Sequence, residues 1–183
     1  MNAFIGLGNV DAQYANTKHN FGFWVVDKLA QRWNMSFRPG RGNYIYVQKK
    51  SGDVILAKPT FGMNRSGIPV KEIVSRWNIP FSNLCIILDD VDLPLGTMRI
   101  RPQGGDGCHR GMESIIYQLG DNKFPRIRMG IGTDEKMRPA EKYVLKPFLK
   151  QDKSLAEEMI VRGADAVEMF QARGIEKAMS EFN

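Results

Sequence analysis

The two histidines of this 183-residue chain, His19 and His109, carry the side chains best suited to proton transfer near neutral pH. Both lie in loop-like sequence beside a predicted helix start, outside any apolar stripe. His19 follows the turn Gly6-x-Gly8-Asn9 after the first predicted strand, and the ends of strands are where α/β proteins place reactive groups. A single histidine is more often structural than catalytic, so the residue type alone leaves both roles open.

Three carboxylates, Asp89, Asp90 and Asp92, follow the most apolar predicted strand, residues 84–88. Such a group could hold Mg²⁺, or one of its members could orient a histidine. The alternative is a turn, because residues 92–96 have the turn-forming sequence Asp-Leu-Pro-Leu-Gly. The spacing does not decide between these interpretations.

Two predicted helix starts carry further candidates. Asn64 lies two residues before a helix predicted from Ser66, where it could bind a ligand or, like Ser66 itself, act as a helix cap. The glycine-rich loop over residues 107–111 opens the third predicted helix, where free backbone amides favour an anion such as phosphate. Glycines also form ordinary loops, so the loop alone does not establish a phosphate site.

The two cysteines provide neither a disulfide framework nor a zinc site. Cys108 lies beside His109, which invites a thiol-nucleophile interpretation, but adjacent residues rarely aim their side chains at the same atom. Cys85 lies inside an apolar strand, where cysteines are usually inert. No Cys-x-x-Cys pair or Cys/His cluster has the spacing of zinc ligands. These observations argue against a cysteine hydrolase and against a structural zinc ion.

Strand-length apolar segments alternate with helical patterns along most of the chain. Strands are predicted over residues 4–7, 43–49, 53–58, 84–88, 97–101 and 126–131, and helices over residues 21–33, 66–77, 112–119 and 152–170. The 97–101 segment alternates like an edge strand, and the 126–131 segment does so with its arginines outward. The pattern predicts one α/β domain over residues 1–183, a three-layer α/β/α structure with a twisted, mostly parallel mixed central sheet.

Composition and charge narrow the class of protein. The 43% hydrophobic and 25% charged residues are typical of globular domains, the longest apolar run is far too short to cross a bilayer, and no secretory signal is recognised, so we expect a cytoplasmic protein. The net charge is +6, and residues 96–150, here called the basic segment, hold 11 basic and 6 acidic residues. Six of these could bind a polyanion or simply face solvent: Arg99, Arg101, Arg110, Lys123, Arg126 and Arg128.

Taken together, these segments resemble the bacterial peptidyl-tRNA hydrolase family. The chain contains, in the order and spacing of that family, Gly6-Leu7-Gly8-Asn9 with Tyr14, Thr17-Lys18-His19-Asn20, Met63-Asn64-x-Ser66-Gly67, Asp89-x-x-Asp92-Leu93-Pro94-x-Gly96, Gly107-x-His109-x-Gly111 and Arg128-x-Gly130-Ile131-Gly132. Each motif is weak by itself, but the set covers essentially the whole chain.

The resemblance implies hydrolysis of the ester that joins a peptide to the terminal ribose of tRNA. It implies His19 as the general base, with Asp89 holding the imidazole in the correct tautomer. It assigns Asn9 to distinguishing a blocked amino group from a free one, and Asn64 to a hydrogen bond near the scissile ester. The expected partner is peptidyl-tRNA, and we expect a monomer that uses no metal or other cofactor and no membrane.

The remaining candidates concern binding of the RNA. The resemblance places Tyr14 against the tRNA end and His109 on a loop that shapes the substrate channel. Asn20 and Arg110 are further binding candidates, and the basic segment fits phosphates of the acceptor stem, which are bound without sequence readout.

The chain departs from the family pattern at three places. It has Val10-Asp11 where members usually have Pro-Gly, Gly62 where an aromatic residue is usual, and Arg110 where Asn usually follows the loop histidine. Two alternatives therefore stay open: an RNA-binding protein on the same fold that does not hydrolyse its ligand, and a Mg²⁺-dependent phosphoesterase built on the carboxylates of residues 89–92.

Overall fold

The structure is a computed structural model that describes residues 1–133 and 139–183. Its strands are β1 Asn2–Gly6, β2 Arg38–Pro39, β3 Tyr44–Gln48, β4 Val54–Pro59, β5 Leu84–Pro94, β6 Met98–Arg101 and β7 Arg126–Gly132. Its helices are α1 Phe21–Arg32, α2 Gly67–Trp77, α3 Arg110–Leu119, α4 Glu141–Val144, α5 Lys153–Arg173 and α6 Ile175–Phe182. No helix of this described part is long and apolar enough to cross a membrane.

All seven strands belong to one mixed sheet with the order β2-β3-β4-β1-β5-β7-β6. The neighbours β4, β1, β5 and β7 pair in parallel, whereas β2–β3, β3–β4 and β6–β7 are antiparallel. The strands predicted over residues 43–49 and 53–58 are β3 and β4, which pair as an antiparallel hairpin, and the predicted edge strand β6 ends the sheet. The predicted α/β class is thereby confirmed, with the parallel pairs in the centre and the antiparallel pairs toward the edges.

Helices cover both faces of the sheet because the central strands are apolar on both sides. Alternate residues of β1 divide between two cores: Phe4 packs with residues of α1, α5 and α6, whereas Ala3 and Ile5 pack with residues of α2 and α3. The result is the expected three-layer arrangement, which brings the turn before α1 and the start of α3 to the part of β5 that carries Asp89.

The start of α1 lies unusually close to the sheet. A Cβ atom added to Gly22 would lie 2.2 Å from the carbonyl oxygen of Ile87, and one added to Gly6 would lie 2.2 Å from the carbonyl oxygen of Gly22. Only glycine fits at such an approach. The turn that precedes α1, residues 18–20, is therefore held against the end of β1 and the middle of β5.

Strand β5 continues six residues beyond its predicted end, so the prediction that Asp89, Asp90 and Asp92 follow the strand is wrong. Asp89 pairs with Met129 and Asp90 with Gly130 of β7, and the turn comes only at residues 95–96. The sequence pattern ends at Leu88 because apolar side chains end there, whereas pairing of the backbone with β7 depends only on a neighbouring strand.

The prediction that the arginines of residues 126–131 point outward is wrong for Arg126, whose exposed fraction is 3%. Strand β7 lies between β5 and β6 and not at an edge, so its side chains face packed layers. The α6 helix was also not predicted: it follows Gly174, whose φ of +83° ends α5.

Candidate functional site

Two polar side chains that are far apart in sequence meet at the end of the parallel strands. Nδ1 of His19, from the turn before α1, lies 3.0 Å from each carboxylate oxygen of Asp89 on β5. Both residues are nearly buried, with exposed fractions of 9% and 2%. With Asp89 ionised, Nδ1 carries the proton and donates it, which leaves Nε2 of His19 as the basic nitrogen.

A second imidazole completes this arrangement, which we call the Asp89 cluster: His19, Asp89 and His109. Nε2 of His109 lies 3.1 Å from Oδ1 of Asp89. On its other side, Nδ1 of His109 accepts hydrogen bonds from the backbone N–H groups of Gly111 and Met112, at 3.1 and 3.3 Å, and so caps α3. The two rings are 4.8 Å apart between centroids.

Electrostatics favour the ionised form of Asp89 and the protonated form of His19. Burial acts to raise the pKa of Asp89, but the two imidazoles and their hydrogen bonds outweigh it and hold this pKa well below its usual range. Burial likewise acts to lower the pKa of His19, but the charge of Asp89 and its hydrogen bond raise it above the ordinary value. The pair is thus arranged so that His19 can take up a proton and be stabilised once it has done so.

Asn9 is held in place by Asn20, the residue after His19. Oδ1 of Asn20 accepts the backbone N–H of Asn9 at 2.6 Å, and Nδ2 of Asn20 donates to the backbone carbonyl of Asn9 at 3.1 Å. Both polar atoms of Asn20 are therefore used within the protein. The Oδ1 atom of Asn9 is buried. Within the described residues, 1–133 and 139–183, it accepts no hydrogen bond.

Two predicted site residues, Tyr14 and Asn64, make no hydrogen bond to the Asp89 cluster in the described part of the chain. Tyr14 is half-exposed, and its carbonyl oxygen accepts hydrogen bonds from the N–H and Oγ1 of Thr17. Asn64 is exposed in the turn Met63–Arg65. The neighbouring residue Met63 lies close to Gly111: a Cβ atom added to Gly111 would be 2.6 Å from the Met63 sulfur. This turn therefore adjoins the start of α3.

A cleft of about 770 Å³ opens over the Asp89 cluster. It is lined by all three cluster residues and by the loop over residues 103–108 that precedes His109. Its other lining residues include Arg101, Arg110, Arg126, Arg128, Pro139, Ala140, Glu141 and Val144. Among the predicted site residues, His19, Asp89, His109 and Arg110 share this cleft.

The predicted basic surface is largely occupied by internal partners. Arg126 donates to four backbone carbonyls, those of residues 104, 105, 122 and 124, and its burial lowers the pKa of its guanidinium to about 10. Arg128 pairs with Asp90, and Arg110 pairs with Glu113 at 3.2 Å. Residues 134–138, which belong to the basic segment, lie outside the described residues.

Among the described residues, one group has ligand atoms close enough for a metal ion, and it is the Asp89 cluster, whose atoms lie within 4.8 Å of one another. The separations of 3.0 and 3.1 Å are those of N–H···O hydrogen bonds, and the proton on each ring accounts for them. Asp90 and Asp92 do not join this group, because Asp90 faces Arg128 and Asp92 is exposed. The predicted alternative of a magnesium site over residues 89–92 therefore lacks the convergence that it needs.

Sequence reasoning assigned no role to Lys18, although the residue links the His19 turn to the end of α4 and the segment that follows it. Its Nζ donates to the carbonyls of Lys146 and Pro147 at 3.3 and 2.8 Å and lies 4.3 Å from the centroid of the Tyr143 ring. Burial lowers the pKa of this amine despite the opposing charge of Asp152. A lysine directly before His19 was visible in the sequence, but its carbonyl partners, more than 100 residues away, were not.

Comparison with known proteins identifies close relatives. A family model described as peptidyl-tRNA hydrolase matches residues 3–183. The peptidyl-tRNA hydrolase of Geobacillus thermodenitrificans is 40% identical over 185 residues, covering all of both chains, and that of Chloroflexus aurantiacus is 42% identical, covering 98% of this chain and 97% of its own. The crystal structure of peptidyl-tRNA hydrolase from Acinetobacter baumannii superposes with a TM-score of 0.89 at 29% identity, covering 100% of this chain and 94% of that chain.

Proposed function

The chain belongs to the peptidyl-tRNA hydrolase family, and from that premise we propose that it hydrolyses the ester between peptide and tRNA with His19 as the general base. The observation that carries the proposal is the 3.0 Å contact between Nδ1 of His19 and Asp89, at the floor of the cleft. A base held in this way is suited to activating water.

The reaction needs one proton shuttle. Nε2 of His19 takes a proton from a water molecule as the water oxygen attacks the ester carbonyl, and Asp89 stabilises the resulting imidazolium. The tetrahedral intermediate then collapses, the bond from the carbonyl carbon to the ribose oxygen breaks, and the ribose oxygen receives the proton from His19. The products are the free peptide acid and tRNA, and no serine or cysteine nucleophile and no metal ion takes part.

Asn9 supplies a means of selecting blocked substrates. Its buried Oδ1 accepts no hydrogen bond from the described residues and can accept the amide N–H of an acylated α-amino group. A free amino group would instead bring a charged ammonium to a buried site, at a large desolvation cost. Asn20 supports this role indirectly, since it grips the backbone of Asn9 from both sides.

The substrate's RNA portion would lie along the rim of the cleft. Arg101 and Arg110 are exposed there, and phosphate contacts of this kind bind any tRNA without reading its sequence. Tyr14 and Asn64 would meet the tRNA end and the region of the scissile ester from the two turns that flank the site. Since peptidyl-tRNA is a product of translation, the proposed place of action is the cytoplasm.

The test is the release of an N-acetylated amino acid from tRNA by the wild type and by His19→Ala. We expect the variant to lose activity by a factor on the order of 10² to 10⁴, because that is the usual contribution of a positioned base. Tyr117→Phe, on an exposed side of α3, is the matched control and should retain full activity. Equal release by wild type and His19→Ala would contradict the proposal, and tRNA binding without turnover by the wild type would favour the non-catalytic alternative.

A further inference from the structure

Asp89 accepts hydrogen bonds from two imidazoles, although a water-activating pair requires only one. Oδ1 of Asp89 lies 3.0 Å from Nδ1 of His19 and 3.1 Å from Nε2 of His109, so one oxygen atom serves both rings. At 2% exposure, Asp89 has little access to water that could replace either donor.

The hydrogen bonds of His109 define its protonation state. Nδ1 faces two backbone N–H groups, those of Gly111 and Met112, and can only accept from them. A proton on Nδ1 would point at these donors and at the positive end of the α3 dipole. The remaining nitrogen, Nε2, must therefore carry the proton, and it donates to Asp89.

We propose that His109 is a neutral positioning residue, locked in the Nε2–H tautomer, that holds Asp89 for His19 and couples both to the first turn of α3. It is then neither a second base nor a substrate contact. Its Nε2–H is made a better donor by the two N–H groups on its far side, since hydrogen bonds in a chain polarise one another. The kinetic part of this proposal rests on the proposed function, whereas the tautomer itself does not.

The proposal predicts the direction of a pH effect. Without the donor from His109, the charge on Asp89 is shared with His19 alone, so the His19 imidazolium is stabilised further and its pKa rises. Other charged groups line the same cleft and are unchanged by a substitution at this position: Asp90, Arg101, Asp106, Arg110, Glu113, Arg126, Arg128 and Glu141.

The first experiment needs no substrate. The chain has only two histidines, so the ring-nitrogen NMR signals of ¹⁵N-labelled protein can be assigned by the loss of one set in His109→Asn. At about pH 7.5 we expect the His109 signals to be those of the Nε2–H tautomer, because Nδ1 accepts from the backbone N–H groups of Gly111 and Met112. A signal that shows a proton on Nδ1 of His109 at that pH would overturn the proposal.

The second experiment separates the two ends of the His109 ring. In His109→Asn the carboxamide oxygen replaces Nδ1, which preserves the helix cap but removes the donor to Asp89. In His109→Gln the amide nitrogen replaces Nε2, which preserves the donor but weakens the cap. We expect the acid limb of kcat/KM to move up by roughly one pH unit in His109→Asn and to stay near the wild-type position in His109→Gln, since one hydrogen bond is worth about that much.

Thermal unfolding reports on the cap: we expect the Tm of His109→Gln to lie below that of the wild type, because the first-turn amides of α3 lose their acceptor. If His109→Asn raised KM alone and left the acid limb unmoved, His109 would be a wall of the channel and the proposal would be wrong. A failed hydrolysis assay for the wild type would count against the proposed function but leave the NMR test of the tautomer intact.

Discussion

The Asp89 cluster and four arginines of the basic segment, Arg101, Arg110, Arg126 and Arg128, line the same cleft but differ in how their polar groups are used. In the cluster, the buried carboxylate of Asp89 lies 3.0 Å from Nδ1 of His19 and 3.1 Å from Nε2 of His109, which leaves Nε2 of His19 as the nitrogen available to the substrate. In the basic segment, two arginines bind partners within the protein: Arg126 donates to the backbone carbonyls of Gly104 and Gly105, and Arg128 pairs with Asp90. The number of basic residues in a sequence therefore overstates the positive charge available to a ligand, because some of these side chains bind partners within the protein.

Asp89 and Asp90, neighbours on β5, allow the most direct test of whether the Asp89 cluster and the basic segment differ in role. We expect Asp89→Asn to lower kcat by a factor on the order of 10² to 10⁴, because the amide no longer fixes the tautomer of His19 or stabilises its cation. Asp90→Asn loses the ion pair with Arg128 and should change kcat by less than about tenfold. Steady-state kinetics on an N-acetylated aminoacyl-tRNA checks both, and an equal loss in the two variants would mean that the carboxylates do not differ in role.

A substitution of Arg126 tests whether this buried arginine of the basic segment stabilises the fold or binds tRNA. Arg126→Met keeps most of the apolar stem but leaves four backbone carbonyls without their donor, so we expect the free energy of unfolding to fall by roughly 2–4 kcal/mol. Urea unfolding measures this loss. A variant as stable as the wild type but defective in tRNA binding would instead make Arg126 a ligand contact.

A substitution of Arg101 tests whether an exposed arginine of the basic segment contacts the phosphates of the tRNA. Arg101→Gln, on the exposed rim of the cleft, should weaken tRNA binding a few-fold at low salt and reduce the slope of log K against log salt by about 1. Lys123→Gln is the matched control, since Lys123 is equally exposed but does not line the cleft. Equal effects of the two substitutions would indicate general attraction by net charge and no defined contact.

The smallest expected effect is on stability as a function of pH. The pKa of His19 is raised in the folded state, so its contribution to stability is complete below the unfolded value of about 6.5 and is lost as the pH rises through the folded value. The pKa of Asp89 is lowered, so its contribution is present above about 3.8 and is lost in acid. The unfolding free energies of wild type and His19→Gln should therefore differ most near pH 5–6 and converge toward pH 9, and a difference that grows with pH would contradict this sign.

The site residues were recognisable from their types and positions, but their partners were only partly so. The residue pattern left Asp89 open between a metal site, a turn and a histidine partner, and the family resemblance implied its pairing with His19. The structure brings the two side chains into contact across 70 residues of sequence. The resemblance placed His109 on a loop that shapes the substrate channel, and nothing near it in sequence indicates that a carboxylate 20 residues away lies against its ring. A histidine directly before a helix start was the available signal for its capping role.

The extent of β5 shows the same limit. Its apolar run ends at Leu88, so the sequence indicated a turn or a metal site where the structure has six more strand residues. Strand pairing extends wherever a neighbouring backbone is in register, and the polar residues of β5 acquire that neighbour only through the parallel strand β7.

By itself, the sequence determined the class of fold and the types of residue at the ends of its elements, because periodicity of apolar residues acts over a few residues at a time. Tertiary structure alone decided which of three aspartates meets an imidazole, which nitrogen of His109 bears the proton, and which arginine is buried. These outcomes depend on strand order, register and the close approach of α1 to the sheet, and such contacts join parts of the chain that no local pattern connects.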